Sequence, residues 1–390
     1  LPPEASADVL KPVTASELSD TLVHIKCHTS TGLDGVPAVL LKVAADVLSP
    51  CLQALFSAVV TVKYLPVVWR VSYIATIYKR GAWLDPANYR PIAVTPVLYR
   101  VFAKIVTARF SDAVESYHVL SDCQFGFRPG RGIMQPLFTM RCLQDWSSRH
   151  HQPVFAAFLD VSKAYDSVHH DTLFDVCRQV GCSTDLVQLL RGMYDGAQYV
   201  VRTPWGLTEP VVACKGVKQG CPLSPLLFNL YTLPVICAIR DNCPTLGVTC
   251  GGLLRPLAIM LYADDIVLLG SSAANLSTLL HVAESALQRL HLRLSPTKSK
   301  VMVIMRGSFP KLSVGPADQV LLEQVKSFKY LGLLLHANPV DTKFGCMPMA
   351  RFSAAKTAAY AFVSTAHAAG LQFNSSAYMR ALHAVVESRC

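Results

Sequence analysis

Charge is scarce in this chain, and paired cysteine motifs are missing from it. Of 390 residues only 16% are Asp, Glu, Lys or Arg, while 52% are apolar. That excludes the charge-rich, poorly hydrophobic composition of a disordered chain and leaves enough for two or three packed domains. There are 13 cysteines but no CxxC and no Cys/His pattern at zinc spacing, which excludes a zinc-finger module. The apolar neighbours of Cys51 and Cys237 read as core surroundings in a reducing compartment. No long apolar run is free of polar residues. The longest, residues 43–62, contains Asp46, Ser49, Pro50, Gln53 and Ser57, so it reads as a buried or amphipathic helix, and no membrane partner is expected. The opening Leu-Pro-Pro-Glu lacks the basic and apolar regions of a signal peptide, and a start at Leu suggests a piece of a longer protein. Internal repeats and low-complexity segments are lacking too.

Acidic residues are the scarcer of the two signs. Thirty-six Lys and Arg face 26 Asp and Glu, a formal charge of +10. Between Lys63 and Arg131 the ratio is ten to four. A basic stretch of this kind suits a polyanion, because each neutralised phosphate releases condensed counterions.

What is present has an order. Thr14, Ser16 and Glu17 precede helically spaced Leu18, Leu22, Val23 and Ile25, a capped helix. A second helix is expected from about Pro37, a strand over 70–78, a helix over 97–110 and a glycine-punctuated basic loop over 124–132. After Pro153 strands alternate with helices: strand 154–161, helices 171–180 and 186–193, short strands 199–203 and 211–214, and a long helix over 224–240. A hairpin over 257–270, a helix over 273–292, a strand over 300–305 and a strand or hairpin over 328–335 follow, and the stretch from Ala350 reads as helical. This is an α+β pattern, a sheet with helices on one face.

The most informative residues are acids in apolar company. Asp264 and Asp265 sit between Ile259-Met260-Leu261 and Ile266-Val267-Leu268-Leu269. Burying adjacent unpaired carboxylates is costly, and a divalent cation removes that cost. Asp is also a common turn residue, so the pair alone decides nothing. Asp160 ends a second apolar strand, Phe158-Leu159-Asp160-Val161. Two such strands lying side by side would gather the acids around a metal pair suited to in-line phosphoryl transfer. Spacing alone leaves open whether they are neighbours.

At Tyr262-Ala263-Asp264-Asp265 the sequence resembles the signature of reverse transcriptases. Other segments follow in that family's order: TGLDGVPAVLLK (31–42), NYRPIAV (88–94), QFGFRPGRG (124–132), FLDVSKAYDSVHHDTL (158–173), GVKQGCPLSPLLFNLY (216–231) and FKYLGLLL (328–335). The form of the fifth is similar to that of non-LTR, LINE-type retrotransposons. Departures are Tyr165 for a usual Phe, Ser295 for Asn, Leu33 for Pro and Arg100 for Lys.

The resemblance implies a right-hand polymerase, with an N-terminal extension and fingers over 1–152, a ferredoxin-like palm over 153–339 and a partial helical thumb over 340–390. It implies an RNA-directed DNA polymerase that extends a DNA primer with dNTPs on an RNA template. Asp160, Asp264 and Asp265 would hold two Mg²⁺ ions, with Mn²⁺ a possible substitute. Tyr165 would exclude a nucleotide 2′-hydroxyl, Gln219 and Gly220 would pack against the templating pair, and Lys79 and Arg90 would hold the triphosphate. Arg128 and Arg131 would track the template, and Lys298 would protonate departing pyrophosphate. His169 and His170 read as a solvated helix start. The alternative is a degenerate element that only scaffolds RNA. An endonuclease is expected on another part of the same polyprotein. Location rests on the family alone, with nucleus and cytoplasm both expected.

Overall fold

The computed structural model describes residues 1–203, 205–250, 256–305 and 321–338. The expected helical stretch from Ala350 and the partial thumb over 340–390 lie outside the described residues. The chain opens with helices α1 (Pro3–Val9), α2 (Ala15–Val23), α3 (Ala38–Val43) and α4 (Ala45–Val62). Strands β1 (Val71–Tyr78) and β2 (Tyr89–Val94) follow, then α5 (Val97–Ser116), α6 (Met134–His150), β3 (Val154–Asp160), α7 (His170–Gln179) and α8 (Thr184–Gly192). Next come β4 (Gln198–Thr203), β5 (Gly206–Leu207), β6 (Val211–Val212), α9 (Ser224–Asn242), β7 (Ile259–Tyr262) and β8 (Asp265–Gly270). The described chain ends with α10 (Ala273–Arg289), β9 (Lys300–Ile304), β10 (Glu323–Gln324), β11 (Ser327–Tyr330) and β12 (Leu333–His336). The fold class is α+β, as the alternation of patterns predicts.

The chain divides into two compact units, one of residues 1–120 and 165–231, the other of residues 121–164 and the described residues from Thr232 on. In the first unit β1 is the organising strand, paired antiparallel with β2 and parallel with β4. Its helical core gathers Phe56, Trp69 and Phe102, whose rings meet at 5.6–5.9 Å. The start of α2 has the capping box its sequence announces: Thr14 accepts from the Glu17 amide, and Glu17 returns the bond. Helix α4 is long and apolar enough to cross a membrane by length and composition. Here one face, Leu52, Phe56, Val59 and Val60, is buried, and the helix packs on α2 and α3.

The second unit is built around β3. Val154 to Leu159 are all buried, and only the terminal Asp160 is not. A strand with apolar side chains on both faces belongs in the middle of a sheet. The order is β10-β9-β3-β8-β7, with β3 antiparallel to both neighbours. Helix α10 packs on β3 and β8, and α6 also packs on β3. Helix α6 falls where no helix is expected from the sequence.

Candidate active site

The β3–β8 ladder decides whether the acids meet. Its register pairs Leu159 with Ile266 and Asp160 with Asp265. On the other side Tyr262 pairs with Asp265, so Ala263 and Asp264 form the two-residue turn between β7 and β8. Asp160 and the Asp264–Asp265 pair, about a hundred residues apart in the chain by their numbering, thus share one end of one sheet. Burial raises the Asp265 carboxyl to about 6, and the charges of Asp264 and then Asp160 add to the shift. Tyr330, whose buried hydroxyl has no hydrogen-bond partner among the described residues, is likewise pushed up, by burial first and by Asp265 second.

Asp160 is fixed through its backbone. Its amide donates to the buried Ser299 hydroxyl at 3.1 Å, and its carbonyl accepts from the Ser295 amide at 2.9 Å. One carboxylate oxygen, Oδ2, is enclosed and takes no hydrogen bond from the described residues. Its partner is Lys298, whose Nζ lies 3.5 Å away as an ion pair with the lysine largely exposed. Ser295, the departure from the family pattern, serves through its main chain, which a change of side chain leaves intact.

A divalent cation fits this arrangement. Asp160 Oδ2 meets a long ion pair to a largely exposed lysine in place of a hydrogen bond, and burial, then like charge, raises the carboxyl opposite it, signs of negative charge incompletely countered. Among the described residues no three acidic, His or Cys side chains close into a ready cage. Mg²⁺ does not require one, since it keeps several waters and takes one or two carboxylates.

The turn itself is braced from a segment that sequence reading valued only for its arginines. Ala263 has φ of 56°, a left-handed conformation costing a non-glycine residue about 1–2 kcal/mol. Its amide donates to Gln124 Oε1 at 3.1 Å, and the same oxygen accepts from the Gly126 amide at 3.0 Å. Main-chain bonds from Phe125 to Leu261 (2.8 Å) and from Leu261 to Cys123 (2.7 Å) lay the loop along β7. A Cβ at Gly126 would stand 2.5 Å from the Ala263 nitrogen, which explains that glycine. Arg128 is turned inward, donating to the carbonyls of Ser121 and Gln124. Arg131 pairs with Asp122. Both guanidiniums therefore brace the loop.

In the first unit a second group of expected residues meets. The Tyr165 ring stacks on buried Phe228 of α9, centroids 4.8 Å apart and planes at 17°. Gln219 donates from Nε2 to Asp166 Oδ1 at 3.0 Å, and its carbonyl accepts from the Ala93 amide at 2.7 Å. Gly220 has φ of +114°, and a Cβ there would lie 2.9 Å from the Ala93 carbonyl, so glycine is required on both counts. Lys218, missed from sequence, is buried: Nζ donates to the Met193 carbonyl at 2.8 Å beneath the rings of Tyr99 and Tyr194. Burial lowers it to about 8. Lys79 and Arg90 are exposed near the far end of the β1–β2 hairpin, Arg90 opposite Ile77. His169, at the N-cap of α7, is exposed as expected, but His170 is not solvated: it is half-buried, its Nε2 2.9 Å from the Gly216 carbonyl and its ring 5.5 Å from that of Tyr194.

Comparison with known proteins agrees with this geometry. Residues 77–335 match the family model described as reverse transcriptase (RNA-dependent DNA polymerase). The chain is 28% identical over 85% of its length to the transposon TX1 uncharacterized 149 kDa protein of Xenopus laevis, covering 25% of that protein. It is 26% identical over 84% of its length to the probable RNA-directed DNA polymerase from transposon BS of Drosophila melanogaster, covering 36% of it. A third relative, the Pol polyprotein from type-2 retrotransposable element R2DM of the same fly, is 28% identical over 80% of the chain, which covers 29% of that protein. The chain thus spans about a quarter to a third of the length of these relatives. With the matched region covering well over half of its length, this chain belongs to the reverse transcriptase family, and its relatives are proteins of non-LTR retrotransposons.

Proposed function

We propose that this chain is the polymerase core of a non-LTR retroelement protein and extends a primer 3′-hydroxyl with dNTPs on an RNA template. One observation carries the reading: Asp160 and Asp265 face each other across adjacent strands, with Asp264 in the turn beside them. Mg²⁺ ions held by Asp160, Asp264 and Asp265 would supply activation of the attacking oxygen and neutralise charge on the departing pyrophosphate. The chain's own residues bind, select and orient. Tyr165, backed by Phe228, is a rigid wall against a 2′-hydroxyl. Gln219, tied to Asp166, presents its remaining amide groups to the nascent pair, and Gly220 allows close backbone approach. Lys79 and Arg90 receive the triphosphate, Arg by paired donors and Lys as a point charge. Lys298 stands at Asp160, from where it delivers a proton to the leaving group. Arg128 and Arg131 hold the shape of a loop that tracks template.

The architecture proposed is a right hand, with fingers over 1–152, palm over 153–339 and thumb over 340–390. Strand order supports the palm: β9-β3-β8-β7 is the order expected of a split β-α-β-β-α-β unit. The two compact units cut the chain elsewhere, because residues 165–231 group with the first. Template and primer are RNA and DNA, gripped mainly through phosphates and duplex shape. The remaining length of the relatives leaves room for an endonuclease on the same polyprotein.

The test supplies RNA template, DNA primer, dNTPs and Mg²⁺, with Asp264→Asn alongside. Extension that falls by orders of magnitude in the variant is expected. A chain that extends nothing, or a variant as active as its parent, defeats the enzyme reading in favour of a scaffold. Efficient use of NTPs in place of dNTPs would point to an RNA replicase.

A further inference from the structure

We infer that Gln124 is the positioning residue of the acidic turn, its side-chain oxygen holding Ala263 left-handed so that Asp264 and Asp265 stand opposite Asp160. The inference rests on the reading of those acids as catalytic. The case begins with the amide itself. Gln124 is only 1% exposed, and its Oε1 accepts two main-chain N–H groups, from Gly126 and Ala263. Two donors on one atom fix which way the amide lies, since an NH₂ group there would face them donor to donor. The other end, Nε2, is buried and makes no hydrogen bond among the described residues. A buried donor left unmet is destabilising, so the residue is held in place for its oxygen.

Glutamate offers the same acceptor without the orphaned donor. It would also bring a further carboxylate against the turn that already gathers Asp264 and Asp265 opposite Asp160, adding like charge to like. A neutral oxygen meets both demands. The surrounding contacts agree: the ladder from Cys123 and Phe125 to Leu261 sets the height of the loop. Gly126, with no side chain, lets the loop lie flat on the turn. The Phe127 ring, at φ of 54°, reaches Tyr262 at 6.4 Å. Loop and turn form one bracket, and Gln124 is its pin.

The experiment uses the whole chain with Gln124→Met, which keeps length and removes the acceptor, and Gln124→Glu, which keeps the acceptor and adds charge. Hydrogen exchange of the Ala263 amide is read at residue level, with primer extension on an RNA template in Mg²⁺. In Gln124→Met the Ala263 amide exchanges about tenfold faster, as fits the loss of one hydrogen bond. Its kcat falls at least as far, while KM for dNTP and affinity for template–primer stay within about twofold. Gln124→Glu restores protection at Ala263 but not kcat. An Ala263 amide as protected in Gln124→Met as in the parent overturns the inference, and so does faster exchange with kcat intact. A parent chain that extends no primer sinks the polymerase reading instead, and the exchange measurement still decides whether the pin exists.

Discussion

At the scale of the residue, the gate proposed for Tyr165 rests on the side chain stacked behind it. A steric wall works only if it does not yield, and Tyr165 projects from a single 3₁₀ turn, Tyr165–Ser167, a support too short to be stiff. Phe228 supplies the missing stiffness, with its side chain fully buried and its ring nearly parallel to that of Tyr165. Aromatic pairs of this geometry contribute about 0.5–1.5 kcal/mol beyond area burial. Phe228→Leu should therefore lower the ratio of dNTP to NTP incorporation by about 2- to 10-fold, given tenfold per 1.36 kcal/mol. Tyr165→Ala should lower it further. The ratio of kcat/KM values is independent of how much protein is folded, so a loss of material cannot imitate the effect. An unchanged ratio in Phe228→Leu with a relaxed one in Tyr165→Ala removes the role of Phe228 alone. No change in either removes the gate.

At the scale of the element, the N-terminal helices hang on one arginine. From α5, Arg109 reaches both carboxylate oxygens of Glu17 at 2.6 Å and the main-chain carbonyls of Val9, Lys11 and Pro12. It thus ties α1, α2 and the turn between them to the core helix. The Arg109 hydrogen bond holds the Glu17 carboxyl down at about 2. A carboxyl lowered on folding stabilises at pH above its unfolded value near 4.5, and that contribution drains away as pH falls toward 2. Arg109→Ala should cost about 1–3 kcal/mol at neutral pH, since the arginine is largely buried while the Glu17 carboxylate it bonds is a third exposed. The gap between parent and variant should narrow from pH 5 down to pH 2, read by urea unfolding at each pH. A gap that is constant over that range excludes Glu17 as the partner that matters. The α2 cap was legible in sequence because Thr14 and Glu17 are local, and so were β3 and the β7–β8 hairpin, because acids interrupt apolar runs. Helix α6 was not. Its core-facing side includes Gln144, donating to the His336 carbonyl, and Ser147, bonded to the carbonyls of Gln152 and Ile304. Polar residues serving distant main chain blur the apolar stripe by which a helix is recognised. Gln124 was illegible for a related reason, since its acceptor role exists only once the loop lies beside β7.

At the scale of the whole molecule, the charge count overstates the surface available to a polyanion. Of the basic residues between Lys63 and Arg131, Lys63 pairs with Asp185, Arg109 with Glu17 and Arg131 with Asp122. Arg70 lies over the Tyr64 ring, Arg100 donates to the Ser30 carbonyl, and Arg128 is turned into its loop. The remainder, Lys79, Arg80, Arg90 and Lys104, are exposed, three of them in or beside the β1–β2 hairpin. Template–primer binding should consequently weaken with salt, but with a shallower slope than ten cations would give, because only cations that meet phosphates release counterions. Arg80→Gln should make the slope of log K against log salt shallower by about 0.7–0.9, the value of one phosphate contact. Lys11→Gln serves as the control, since Lys11 lies outside the hairpin and pairs with Asp8 at 2.6 Å, and it should leave the slope alone. Equal effects from the two substitutions would mean that the field of the whole chain, rather than the hairpin, draws in the nucleic acid. A slope unmoved by Arg80→Gln would place the phosphate contacts elsewhere.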